Sequence, residues 1–464
     1  VSLHSGMTNP QRLKSWLAAH SGTARIVLGT RMAVFASLPG LKLIVVDEEH
    51  DPSYKQQEGA RYSARDLALY RGKLSGAKVI LGSATPSLES WHHSRPVAQD
   101  DSGGRYLRLC MPERIGAAAL PAVRVVDMTQ QPRGTVCSQA LLEAVQQRAL
   151  RGEQSLLLLN RRGYAPVLHC TGCGWKSQCP HCSAYRVFHK IDRTLRCHHC
   201  GYENRVPRAC PTCGNQDIQP FGRGTQRIEA VLAERFPQAR ILRVDRDSAK
   251  SRKQWEALVE QIHDGAADIL VGTQMLAKGH DFPKLTLVGA LGADAALFAS
   301  DWRAPERLFA QLMQVAGRAG RAELPGEVLI QTQFPEHPLY AALVRHDYPA
   351  FADAQLKERE QAGFPPYAYQ AMLRAEAPQL ADSLAFLTTA RAWPEASAYA
   401  DVMLYDPVPM RMARRANFER AQLLIESPSR RALQHFLADW GELLATIKAP
   451  SRLRWHLEVD PLEF

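Results

Sequence analysis

The residues best suited to chemistry are cysteines. Ten occur, and eight of them form four Cys-x-x-Cys pairs between residues 170 and 213: Cys170/Cys173, Cys179/Cys182, Cys197/Cys200 and Cys210/Cys213. Two pairs supply the four thiolates of one tetrahedral zinc site, so eight cysteines imply two ions. The same soft ligands would suit iron–sulfur clusters, and a secreted scaffold would use them for disulfides. Their confinement to paired knuckles in one segment favours zinc in a reducing compartment. Five residues separate Cys173 from Cys179, too few for the chain to face itself, whereas the fourteen between Cys182 and Cys197 suit a hairpin. A nested arrangement follows. Cys179, Cys182, Cys197 and Cys200 form an inner site; Cys170, Cys173, Cys210 and Cys213 form an outer one. His169, His181, His198 and His199 are alternative ligands that eight thiolates make unnecessary. With thiolate at every position, both sites are expected to be structural.

A second cluster is acidic. The apolar run Leu41–Val46 leads into Asp47-Glu48-Glu49-His50, which reads as a buried parallel strand delivering carboxylates at its carboxyl end, where ligands of open α/β sheets bind. Such a tip suits a magnesium-bound nucleoside triphosphate, with the Asp holding the metal through water and the Glu polarising an attacking water. An acidic turn is the plain alternative. Three further segments follow strands or sit near helices: Gly82–Pro86, with small hydroxyls; Gly272–Phe282; and Gln314–Arg321, where Arg318 and Arg321 share one face. Paired arginines of that kind neutralise charge on a transferring phosphoryl group, or cap a helix.

The elements that must position these groups alternate strand and helix. Residues 1–96 read as part of one α/β sheet and residues 97–339 as a second, interrupted by the cysteine region at 168–216. In the second, strands are expected at 155–159, 239–244, 268–271, 285–291 and 327–332. From 340 to 464 the order β-α-β-β-α-β is that of a split βαβ domain, its last helix starting at Ser427 as N-cap with Pro428 at N1. Lys plus Arg number 57 against 47 acids; the net charge of +10 favours a polyanion such as nucleic acid. No apolar run reaches membrane-spanning length, and no signal pattern opens the chain, which reads as cytoplasmic. The first residue is Val1, and the chain reads as part of a longer protein.

In order, Asp47–His50, Ser83–Thr85, Gly272–Phe282 and Gln314–Arg321 resemble motifs II, III, V and VI of DEAH-type superfamily 2 helicases. Leu159–Pro166, the zinc knuckles and Gly272–His280 narrow the resemblance to the primosomal replication-restart helicases. It extends over essentially the whole chain. The resemblance implies two RecA-like lobes, the first incomplete, a double-zinc insertion in the second, and a C-terminal α+β domain. It implies ATP with magnesium, held by Asp47 and Glu48 with His50, Gly279, Asp281, Arg318 and Arg321, and served by Gln314 from the second lobe. Asp47, Glu48, Gln314, Arg318 and Arg321 take the catalytic roles.

The implied activity is 3′-to-5′ unwinding at stalled bacterial replication forks and reloading of the replicative helicase with other primosome proteins. Branched and single-stranded DNA is the implied substrate, contacted by Arg31, Tyr54, Lys55, Tyr62, Thr273, Gln274 and Lys278. Tyr54, Lys55 and Tyr62 lie in the loop Ser53–Asp66, which resembles the family's aromatic-rich loop. The acidic tail of single-stranded DNA-binding protein is an implied partner, with Arg430 and Arg431 as candidate contacts; localisation is near the nucleoid.

The sequence departs from the family in lacking Gly-Lys-Ser/Thr, since Gly72-Lys73 precedes Leu74. Without a phosphate cradle the chain is expected not to hydrolyse ATP by itself. Gln226 stands where the family commonly carries Glu. Two other readings remain: a zinc-dependent DNA-binding or assembly module without motor activity, and a duplex translocase that never separates strands.

Overall fold

The computed structural model describes residues 1–94, 105–111, 120–132, 134–159, 167–189, 193–197, 200–221, 225–244, 252–272, 282–298, 301–320, 324–392 and 399–463. Of the motifs above, Asn160–Pro166, Thr273, Gln274, Lys278, Gly279, Asp281 and Arg321 lie outside them, as do His198 and His199.

The first unit holds two short parallel pairs. Leu43–Val46 pairs with Lys78–Leu81, and Ser2–Leu3 pairs with Leu28–Gly29. The expected strand at Leu41–Val46 is therefore parallel, but it is buried on one face only. Val46 is 5% exposed, whereas Leu43 and Val45 are 50% and 61% exposed. The helix Ala64–Ser75 covers the inner face, and no element among the described residues covers the other. Gly72-Lys73 belongs to this helix. A Cβ on Gly72 would stand 2.3 Å from the Val79 side chain, so this glycine serves helix–strand packing.

The second unit is a six-stranded parallel sheet, in the order 241–244, 269–272, 154–159, 285–291, 327–332, 122–127. Leu156, Leu158, Leu270 and Val288 face one core; Leu157, Leu159, Ile269 and Leu329 face the other. Strands buried on both faces read as continuous apolar runs, which is why Leu285–Leu291 and Glu327–Thr332 have the bounds expected from sequence.

The first core extends further than the sequence suggests. It takes in Leu339, Leu343, Phe351 and Leu356 from the helices Pro338–Val344 and Tyr348–Ala362. The packing boundary therefore falls after Ala362, not at 340. The same core also receives Leu88 and Trp91 of the helix Leu88–His93, so the first boundary lies nearer Pro86 than 96.

The cysteine region forms a five-stranded antiparallel sheet, and the C-terminal domain a second one, ordered 403–404, 418–427, 369–377, 454–459. Helices Leu380–Ala392 and Arg430–Leu444 pack on the latter, giving the split βαβ arrangement. A strand absent from the sequence reading, Val408–Arg415, also pairs with Phe418–Ser427. The last helix is capped by Ser429, whose Oγ accepts from Ala432 N–H, and not by Ser427; the Ser427 hydroxyl instead accepts from Ser429 N–H.

Candidate functional site

The acidic tip is stitched to the next strand by backbone bonds: Gly82 N–H donates to the Val46 carbonyl at 2.8 Å and Glu49 N–H to the Gly82 carbonyl at 3.0 Å. Glu48 sits at φ +48, a left-handed conformation that turns successive acids apart. Asp47 is exposed and accepts from Glu48 N–H at 3.0 Å. The Glu48 carboxylate stands 3.5 Å from His50 Nδ1, which is 2.7 Å from Ser83 Oγ; that hydroxyl also accepts from Thr85 N–H at 3.0 Å. Two partly exposed carboxylates at a strand tip, one tied to a His–Ser pair, suit a hydrated magnesium ion.

The third acid behaves differently. Glu49 is 2% exposed and accepts four bonds: from Ser87 N–H at 2.6 Å, Ser87 Oγ at 3.1 Å, Ser90 Oγ at 2.9 Å and Arg65 Nη1 at 3.3 Å. It thus fixes the start of the helix Leu88–His93 to the acidic tip. That helix docks into the second unit. Leu88 N–H donates to Glu306 Oε1 at 2.9 Å, Glu89 pairs with Arg303 at 2.7 Å, and Trp91 Nε1 donates to Asp353 at 3.1 Å. Burial works against the Glu89 charge, yet Arg303, Arg359 and Arg65 hold its pKa down to about 2. Sequence reading missed Glu49 as a junction.

Glu306 and Gln314 lie on the helix Ala304–Ala316. Its end carries Arg318, which is buried, and Gly320 at φ +67. A Cβ on Gly320 would meet Gly326 N at 2.3 Å, so the two glycines press backbone on backbone, which only residues without a side chain allow. Gln314 lines a cavity of about 720 Å³ with Glu49, His50, Tyr62, Arg303 and Tyr369.

The loop Ser53–Asp66 closes as a bridge between Lys55 and Ser63. Tyr54 OH donates to the Asp47 carbonyl at 2.7 Å, Tyr62 packs edge-on against Phe35 at 4.9 Å, and Arg31 donates to the Ser53 and Lys55 carbonyls at 3.0 Å. Arg31 thus holds the loop from beneath. Lys55 is 8% exposed; its ammonium donates to the Val459 carbonyl of the C-terminal domain, and burial lowers its pKa. The expectation of a Lys55–phosphate contact is not met in this arrangement, because the charge is turned inward. On the other side, Arg307 donates to the Leu462 carbonyl, so residues 459–462 connect the loop to the helix Ala304–Ala316. Arg430 lines the cavity and pairs with Asp460 at 2.9 and 3.0 Å; Arg431 is exposed outside it.

The cysteines gather as two tetrads: Cys170, Cys173, Cys210, Cys213 and Cys179, Cys182, Cys197, Cys200, the Sγ atoms of each within 4.8 Å of one another. This is the nested order. Cross-pair Sγ separations of 3.6, 3.5 and 3.7 Å fit the edge of about 3.7 Å set by zinc–sulfur bonds of about 2.3 Å. The tetrads therefore fit structural zinc. The His181 ring is directed to Asn417 Oδ1 at 2.8 Å, and neither His169 nor His181 joins a tetrad.

Three family models match the chain: the primosomal protein N C-terminal domain at residues 360–462, the PriA DNA helicase Cys-rich region at 179–205, and the helicase conserved C-terminal domain at 215–323. The replication restart protein PriA of Haemophilus influenzae is 41% identical over 461 residues, covering 99% of this chain and 62% of that protein. That of Bacillus subtilis is 38% identical over 427 residues, covering 91% and 52%. That of Rickettsia felis is 34% identical over 464 residues, covering 99% and 70%. The chain thus spans less than two thirds of the first two relatives. Among the described residues no helix is long and apolar enough to cross a membrane.

Proposed function

The chain belongs to the PriA family of replication restart proteins, and from that premise we propose that it carries the second motor lobe, zinc region and C-terminal domain of an ATP-dependent 3′-to-5′ DNA helicase. That helicase acts in the bacterial cytoplasm on branched forks and single-stranded DNA and helps reload the replicative helicase. Asp47 and Glu48 are assigned to a magnesium ion and the attacking water; Gln314, Arg318 and Arg321 to the triphosphate. When bound, magnesium-ATP supplies the phosphoryl transfer. His50, Gly279 and Asp281 complete the nucleotide site. Tyr54, Tyr62, Thr273, Gln274 and Lys278 are assigned to DNA.

One observation carries this reading. Glu49 holds Ser87, and the next two residues, Leu88 and Glu89, bond Glu306 and Arg303, so polar contacts lead from the acidic tip through the start of the helix Leu88–His93 into the second lobe. A two-lobed motor can use such contacts to couple hydrolysis to movement between lobes. The chain's sequence holds no Gly-Lys-Ser/Thr, so these 464 residues alone are proposed to turn over no ATP. Arg430, which lines the cavity beside Tyr369, and the exposed Arg431 next to it are assigned to an acidic peptide tail such as that of single-stranded DNA-binding protein.

In a longer form that carries a phosphate-binding loop, Glu48→Gln is expected to abolish ATP turnover and leave fork binding within about twofold. Loss of both together would sink the assignment. A second reading, a zinc-dependent DNA-binding or assembly module, draws on the two tetrads. Normal fork restart by a full-length Glu48→Gln protein would favour it.

A further inference from the structure

Three of the four cysteine knuckles close on themselves. In each the amide after the second cysteine belongs to glycine and donates back to the first cysteine's carbonyl: Gly174 to Cys170 at 3.0 Å, Gly201 to Cys197 at 2.8 Å and Gly214 to Cys210 at 2.9 Å. Their φ angles are +74, +75 and +74, where a side chain is strained. The fourth knuckle, Cys179/Cys182, is followed by Ser183. It keeps the outer bond of the set, Cys179 N–H to the Ala184 carbonyl at 2.8 Å, but Ser183 N–H donates instead to the Arg414 carbonyl at 2.8 Å.

Arg414 belongs to a hairpin of the C-terminal domain whose turn residues Ala416 and Asn417 both have positive φ, +50 and +65, as a tight two-residue turn requires. This hairpin occupies the open side of the fourth knuckle. Arg414 N–H donates to Ser183 Oγ at 3.0 Å, Ala416 N–H to the Cys182 sulfur at 3.3 Å, and Asn417 N–H to the His181 carbonyl at 2.9 Å. The Asn417 side chain meets His181 Nδ1 at 2.8 Å, and the His181 ring packs edge-on against Tyr202 of the facing knuckle at 4.7 Å.

We propose that the hairpin tip Arg414–Asn417 is the closure that the inner metal knuckle lacks, so that the inner zinc is retained jointly by the cysteine region and the C-terminal domain while the outer zinc is held by the cysteine region alone. An amide aimed at a metal-bound sulfur stabilises its thiolate, and groups behind the ligands tune metal affinity by about 10- to 100-fold. The outer site has its own glycine-closed knuckles on both sides and needs no such help.

The test uses the whole chain loaded with zinc. Release to a chromogenic chelator is followed while iodoacetamide labels freed thiols, which peptide mass spectrometry assigns to one tetrad or the other. Asn417→Gly keeps the turn and removes the side chain that meets His181. Combined with Ser183→Ala it is expected to speed release from Cys179, Cys182, Cys197 and Cys200 about tenfold, with the outer tetrad unchanged. Equal acceleration of both tetrads, or of neither, overturns the proposal. Because the double variant could unfold the hairpin, Ser183→Ala alone is measured beside it. This variant changes nothing inside the C-terminal domain and is expected to show the same selectivity at smaller amplitude; unselective release in it overturns the proposal as well.

Discussion

The Glu49 carboxylate holds Ser87 at both ends, accepting its backbone N–H at 2.6 Å and its hydroxyl at 3.1 Å. The acid that follows Asp47 and Glu48 therefore anchors the helix that enters the second lobe. Replacing it leaves the Ser87 N–H and two hydroxyls without this acceptor, while Arg65 keeps Asp66 at 3.0 Å. Glu49→Ala is expected to lower stability by about 3 kcal/mol, read as a fall in the urea midpoint. Glu49→Gln should lose less, since its amide oxygen still accepts from Ser87. Equal losses would show that the retained oxygen contributes nothing and that the charge carries the whole effect.

Acid should loosen the junctions around the C-terminal domain. Burial, then His92 and Arg105, pushes His93 down to about 4; burial, then Arg61, Arg374 and Arg420, does the same for His456, also to about 4. Both are neutral in the folded chain where an unfolded histidine, titrating near 6.5, is charged. Their contribution is complete above pH 6.5 and is lost as pH falls towards about 4, because the unfolded chain then takes up protons first. Urea midpoints measured across that window should fall with pH, and the slope should flatten in a His93→Gln, His456→Gln variant. An unchanged slope refutes this origin.

Lys55 supplies a test of its inward pose. A lysine on phosphate contributes about one unit to the slope of log affinity against log salt. Lys55→Met is expected to leave that slope unchanged for single-stranded DNA, because the ammonium is already engaged by Val459. A slope shallower by about one unit would mean that the loop releases Lys55 on binding.

Denaturing the chain with a metal-sensitive dye present should release about two zinc ions per chain. Iron, or a single zinc, contradicts the two tetrads.

The metal arrangement was legible because it depends on counting residues between cysteines, and a short linker forbids what a long one allows. The long apolar strands of the second sheet were legible for a related reason: burial on both faces leaves no alternation to misread. The helices Pro338–Val344 and Tyr348–Ala362 were hidden by Pro338 and Pro349, which look like breakers but occupy the first turn, behind the caps His337 and Asp347. Glu49 was hidden because its donors, Arg65, Ser87 and Ser90, lie 16, 38 and 41 residues away. Lys55 misled because cations among aromatics look alike whether they face a nucleic acid or a neighbouring domain. One signal was present and unread: three Cys-x-x-Cys pairs are followed by glycine and the fourth by Ser183.

The bonds from Lys55 to Val459 and from Arg307 to Leu462 lie three residues apart on one strand end. An extended stretch of that length reaches no further than about 11 Å. The aromatic-rich loop and the arginine-bearing helix are thus moored to a single short line, and they can drift apart only by its slack. Wider parting must cast off one mooring, so the C-terminal domain has to travel with whichever lobe keeps hold.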